Sequence, residues 1–174
     1  MKFGSALLAS MILAGTLWGQ SPGKTHLKVG DLAPAFTLPS TTGKPVSLAE
    51  LRGKTVVLAF FPAAFTGGCT KEVHAYRDHL AKFQEAGAEV FLVSTDNLPT
   101  LQHWAGEVGA SYAMLSDFMR RASKDYGVLI EERGIASRTT FVIDGEGRIQ
   151  HIEEGSAAID PTGALNACTR LKKS

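Results

Sequence analysis

Three stretches of the chain are apolar without alternation: Thr55–Phe61 (TVVLAFF), Glu89–Ser94 (EVFLVS) and Thr139–Ile143 (TTFVI). Such β-branched and aromatic runs suit strands buried on both faces. Between the first two, Lys71–Ala86 carries Val73, Tyr76, Leu80 and Phe83 at spacings of three and four. That is one apolar stripe, and it predicts an amphipathic helix. Gly87 follows as a left-handed stop. Thr95-Asp96-Asn97 is a cluster of helix-start and turn residues ahead of a helix over Pro99–Val108. A shorter helix is expected over Asp117–Tyr126. Asp144-Gly145-Glu146-Gly147 reads as a turn that pairs Thr139–Ile143 with Arg148–Glu153 in a hairpin. Pro161 suits the first turn of a last helix running to Lys172.

The order is β, α, β, α, a short α, a β-hairpin and α. Parallel strands joined by crossover helices, then an antiparallel hairpin and a final helix, predict an α/β, thioredoxin-like fold with a central mixed sheet flanked by helices. Residues 31–174 read as one continuous domain, without internal repeat or linker. Residues 20–30 (QSPGKTHLKVG) are polar and expected to be loose.

The first nineteen residues are a separate object. Lys2 is followed by thirteen uncharged residues, Ala6–Trp18, and then the small Gly19. This is the layout of a cleavable secretory signal. The apolar run falls short of the ~20 residues of a spanning helix. An uncleaved anchor is the alternative. The expectation is a protein exported to the periplasm or secreted, with no membrane attachment in its mature form. Lys and Arg number 18 against 17 Asp and Glu, so loss of Lys2 leaves 17 against 17. That balance gives no electrostatic footprint for nucleic acid. Two cysteines are too few for a disulfide scaffold or a four-thiolate zinc site.

The segment with the most chemical information is Phe60–Glu72, FFPAAFTGGCTKE. Pro62 ends a strand, Gly67 and Gly68 are expected to let the backbone bend, and Cys69 falls in the first turn of the next helix. Free N–H groups and the dipole of a helix start favour an anion, which makes a thiol there more acidic, and the thiolate is the reactive form. Thr66 lies three residues earlier and has a hydroxyl able to donate to a bound oxygen. The plain alternative is a buried structural cysteine, but the loop is small and polar and is not expected to bury a thiol well.

Pro62, Thr66 and Cys69 spell P-x-x-x-T-x-x-C. This resembles the active-site signature of the peroxiredoxins, the thiol peroxidases of the AhpC/TSA superfamily. Val29–Leu51, Leu115–Phe118, Tyr126-Gly127-Val128 and Gly134–Asp144 resemble further landmarks of that family, and FPAAFTGGC and GIASRTTFVID are closest to its AhpE-like branch. The resemblance implies that Cys69 is the peroxidatic thiol, reducing hydrogen peroxide or organic hydroperoxides and becoming sulfenic acid. It implies that Thr66 hydrogen-bonds the peroxide and that Arg138 favours the thiolate and stabilises charge on the oxygens. Pro62 would shield the sulfur, and Glu72 would orient the arginine. Without the motif, Arg138 reads as a surface arginine and Glu72 as an exposed first-turn acid. The family commonly forms homodimers and needs no metal or organic cofactor.

The position five residues after Cys69, where one variant of the family carries its resolving thiol, is His74. The other cysteine, Cys168, has Leu165 three residues before and Leu171 three after, which places it on an apolar stripe as a packed core residue. Its alternative role is that of a resolving thiol. The leaning is toward one-cysteine chemistry with an external reductant, a thioredoxin-like protein or a low-molecular-weight thiol. Two other functions remain open: a thiol–disulfide oxidoreductase using Cys69 and Cys168, and a non-catalytic redox-sensing or binding protein. No C-x-x-C is present, and His74 and His79 do not share a helix face with Cys69 or with each other in a way that suits a base or a metal. Trp104 and Tyr112 read as packing residues.

Overall fold

A computed structural model describes residues 23–173. Two short strands, β1 (Thr37–Leu38) and β2 (Val46–Ser47), precede the central strand β3 (Thr55–Phe60). Helix α1 (Gly67–Glu85), strand β4 (Ala88–Ser94), helix α2 (Leu98–Glu107) and strand β5 (Ala113–Ser116) follow. Next come the five-residue helix α3 (Arg121–Asp125), the strands β6 (Leu129–Ile130) and β7 (Ile135–Ala136), the hairpin of β8 (Thr139–Ile143) and β9 (Ile149–Glu154), and helix α4 (Thr162–Lys173).

The main sheet has the order β5-β4-β3-β8-β9. β3 pairs parallel with β4, and β4 parallel with β5, while β8 runs antiparallel to both β3 and β9. The sheet is therefore mixed, as the sequence pattern predicts, and the fold is thioredoxin-like.

β3 shows why an unbroken apolar run is needed. Val57, Ala59 and Phe61 join one core with Val73 and Tyr76 of α1, Leu101 and Trp104 of α2, and Ala164 and Cys168 of α4. The intervening Val56, Leu58 and Phe60 join a second core with Phe36, Leu38, Ala122, Tyr126 and Phe141. Helices α1, α2 and α4 thus cover one face, and the N-terminal segment and α3 cover the other. Burying a side chain of this size contributes roughly 1.5–3 kcal/mol. Trp104 and Tyr112 are both core residues.

Several boundaries differ from expectation for local reasons. α1 starts at Gly67, four residues before Lys71, and ends before Gly87, which takes the left-handed φ of 74°. In α2, Asn97 is the true cap: its side chain accepts from the Thr100 N–H at 3.0 Å. Asp117 does not lie inside a helix. Its carboxylate accepts from the N–H groups of Ala122 (3.2 Å) and Ser123 (2.6 Å), which delays α3 to Arg121. β5 and the two-residue strands are further elements, too short to carry a periodic pattern. Of the segment expected to be loose, residues 23–30 form no strand or helix but are held to the domain: the Thr25 hydroxyl donates to Tyr126 O at 2.6 Å, and Gly30 N–H to Ile149 O at 2.8 Å. The secretory-signal reading falls outside the described residues. Among the described residues, no helix is long and apolar enough to cross a membrane.

Candidate active site

Two loops meet at one end of the sheet. β3 delivers Phe60 to Gly67 at its C-terminal end, and the antiparallel β8 starts beside it, with Phe60 opposite Thr139. Arg138 immediately precedes β8. The register of the β3–β8 pair therefore carries the arginine to the first turn of α1, although the two residues are far apart in sequence.

The geometry there is specific. Arg138 Nη2 donates to Cys69 Sγ at 3.3 Å. Arg138 Nη1 forms an ion pair with Glu72 Oε2, and Glu72 is fully buried. Glu72 Oε1 has no hydrogen-bond partner. Cys69 and Glu72 are three residues apart on α1, so both face the same guanidinium. An arginine fork can hold a carboxylate and a second anion at once. The arrangement places a fixed cation against the sulfur.

Two expectations about this loop are corrected. The thiol is not left open by its small polar surroundings: Cys69 is 1% exposed, because Phe61, Ala64 and Val73 belong to the same core. Nor do Gly67 and Gly68 make the bend, since both lie within α1. The left-handed residue is Phe65, at φ 59°. Gly68 serves clearance instead: a Cβ there would stand 3.4 Å from Arg138 Nη2. The plain readings of Glu72 and Arg138 as exposed surface residues do not hold either, because Glu72 is fully buried and Arg138 is partly buried against it.

Thr66 caps α1 with an extended backbone. Its hydroxyl donates to Ala63 O at 2.9 Å rather than to the sulfur. Pro62 is half-buried at the start of the loop. Behind the site, the Tyr76 hydroxyl and Thr140 Oγ1 share a hydrogen bond of 3.0 Å inside the core. A cleft of about 650 Å³ bordered by Phe36, Leu98 and Phe118 does not include Cys69, Thr66 or Arg138.

Cys168 is fully buried on α4, and both cysteines are unbridged. Burial pushes the Cys168 thiol up to about 12.

The segment after β4 contributes residues that sequence reasoning assigned only to a helix start. Asp96 Oδ2 accepts from the Ala64 N–H at 2.8 Å, and Thr95 Oγ1 donates to Gly134 O at 3.0 Å. No local pattern marks these contacts, because each spans more than thirty residues.

The family model described as "AhpC/TSA family" matches residues 29–152. The chain belongs to the AhpC/TSA family of peroxiredoxins. Its relatives include alkyl hydroperoxide reductase E of Mycobacterium tuberculosis, 42% identical over 130 residues, which cover 73% of this chain and 85% of that protein. The chloroplastic peroxiredoxin Q of Arabidopsis thaliana is 40% identical over 153 residues, 86% of this chain and 71% of that protein. Among solved structures, peroxidoxin BcpB of Mycobacterium tuberculosis superposes with a TM-score of 0.77 at 34% identity, covering 85% of this chain and 98% of that one. The peroxiredoxins are thiol-dependent peroxidases, and this chain is an oxidoreductase of that kind.

Proposed function

We propose that Cys69 is the peroxidatic residue and that the chain uses a one-cysteine cycle. The observation that carries the reading is the 3.3 Å contact between Arg138 and Cys69 Sγ at the start of α1. The Cys69 thiolate attacks one oxygen of the peroxide. The S–O bond forms as the O–O bond breaks, and the departing oxygen takes a proton to leave as water or an alcohol. Cys69 becomes sulfenic acid. Arg138 holds the thiolate and meets the charge that develops on the oxygens, an electrostatic role. Glu72 fixes the guanidinium. Thr66, exposed at the helix start, turns its hydroxyl from Ala63 O to hydrogen-bond the incoming peroxide, and Pro62 limits access of water to the sulfur.

Recycling uses an external thiol, thioredoxin-like or of low molecular weight. A first thiol displaces water from the sulfenic acid to give a mixed disulfide. A second releases the Cys69 thiol and carries away a disulfide. Cys168 supports this reading, because a buried thiol with its ionisation pushed up to about 12 is a poor attacking group. The readout is the mass of the protein after one equivalent of hydrogen peroxide. A gain of one oxygen is expected, and a loss of two hydrogens would assign the resolving role to Cys168.

The chain is exported by its first nineteen residues and works as a homodimer. The support for association is apolar: Phe65, Phe118 and Met119 are all more than half exposed, beyond the C-terminal ends of β3 and β5. Sedimentation of the wild type against Phe118→Lys tests the dimer. The N-terminal mass of protein recovered outside the cytoplasm tests cleavage after Gly19.

A further inference from the structure

We propose that Ser94-Thr95-Asp96, the turn leaving β4, is a positioning strap that sets the separation of Cys69 from Arg138. The inference rests on the peroxidase reading of the site and adds residues that touch neither the sulfur nor the peroxide.

The geometry is two-sided. Asp96 Oδ2 accepts from Ala64 N–H at 2.8 Å, in the loop that leads to Cys69. The same oxygen accepts from Ser94 Oγ at 2.8 Å, and Ser94 Oγ accepts from Asp96 N–H at 3.0 Å, so the carboxylate is locked to its own strand end. One residue earlier, Thr95 Oγ1 donates to Gly134 O at 3.0 Å, in the segment that leads to Arg138. Arg120 Nε donates to the same carbonyl at 2.9 Å. Ser116 Oγ of β5 donates to Asp96 O at 2.7 Å and steadies the turn from below. Ser94, Thr95 and Ser116 are buried.

The loop beyond Ala64 needs such a hold. Phe65 follows at φ 59°, a left-handed conformation that a bulky side chain adopts only when its surroundings enforce it. The Ala64–Asp96 bond on one side and the Thr66–Ala63 bond on the other fix the backbone around it. The nucleophile's loop and the arginine's loop are thus referenced to one rigid strand end. Functional groups need to be held within about 0.5 Å of the productive geometry.

The test compares Asp96→Ala, Asp96→Asn and Thr95→Val in the full chain. Two quantities are read for each: the second-order rate with hydrogen peroxide, and the pH profile of Cys69 alkylation by iodoacetamide, followed on the Cys69 peptide. The second needs no peroxidase activity. Asp96→Ala and Thr95→Val should each slow the peroxide reaction on the order of tenfold or more, since a misplacement of about 1 Å can cost 10²-fold. Both should move the alkylation profile to higher pH, because the guanidinium meets the sulfur less often. Asp96→Asn should stay near wild type, as one amide oxygen can accept from both Ala64 and Ser94.

Wild-type rate and profile in Thr95→Val would overturn the strap, and that near-isosteric variant carries the test alone if Asp96→Ala fails to fold. A downward profile shift in Asp96→Asn would also overturn it, because Asp96 would then act through its charge. Should the wild type react slowly with peroxide while Thr95→Val still shifts the alkylation profile, the strap stands and the peroxidase reading falls.

Discussion

Removing Arg138 and removing Glu72 should move Cys69 reactivity in opposite directions. At the 3.3 Å separation of Arg138 Nη2 from Cys69 Sγ, a full charge interacts with the thiolate by about 5 kcal/mol at an effective dielectric of ~20. The Glu72 carboxylate opposes it. The Cβ atoms of residues three apart on a helix face stand about 5–6 Å apart, and a charge separation of about that size gives a repulsion of about 3 kcal/mol at the same dielectric. The attraction therefore exceeds the repulsion by about 2 kcal/mol.

In Arg138→Ala, Glu72 is left buried without its cation and takes up a proton, so attraction and repulsion vanish together. Alkylation of Cys69 at fixed pH should slow on the order of tenfold. In Glu72→Gln the repulsion alone is lost, and alkylation at the same pH should speed up by a similar factor. The double variant should resemble Arg138→Ala. Each single variant also breaks a buried ion pair, which costs about 3–5 kcal/mol of stability, and the double variant should recover part of it. The assay is iodoacetamide alkylation of the Cys69 peptide across pH, beside urea unfolding. Shifts of the same sign in the two single variants, or none in Arg138→Ala, would refute the electrostatic role of the pair.

Three further outcomes follow from the packing. Cys168→Ser should leave the first-turnover rate with hydrogen peroxide unchanged while lowering stability by about 1–3 kcal/mol, since it buries a hydroxyl in the α1–α4 core; a slowed first oxidation would contradict this. Gly127→Ala should destabilise by about 2 kcal/mol, from left-handed strain at φ 68° and displacement of His26, and unchanged urea unfolding would show that the segment before Lys28 is not docked. The Thr162 hydroxyl and backbone N–H hold the Asp160 carboxyl below its ordinary 3.8. Its contribution to the start of α4 is present above that value and is lost as pH falls through the lowered one. Asp160→Ala should remove this part of the acid dependence, whereas wild-type acid unfolding in the variant would remove Asp160 from the account.

The legible parts of the chain were those written in local pattern. Apolar runs marked β3, β4 and β8, and a three-four stripe marked α1. The strand end at Pro62 followed by Gly67 and Gly68 placed Cys69 in the first turn of α1, where the structure has it, although the glycines belong to the helix and not to the bend. β5 escaped because four residues carry too little periodicity. Glu72 was ambiguous for a physical reason: an acid in a first helical turn has the same sequence whether it faces solvent or a guanidinium delivered by β8. Burial of Cys69 depends on Phe61 and Val73 closing over a loop whose composition is polar. Asp96 sits beside the true cap Asn97, and its partner Ala64 lies on another loop, so only the assembled sheet reveals it.

Reduction of peroxide by Cys69, held by Arg138, is what the proposed function requires. Its most direct test is the stopped-flow rate of the reduced full chain with hydrogen peroxide, beside Cys69→Ser, with intact mass of the product. The expected result is a rate orders of magnitude above free cysteine, one added oxygen, and loss of both in Cys69→Ser. A rate no faster than free cysteine, or one that survives the substitution, would contradict it.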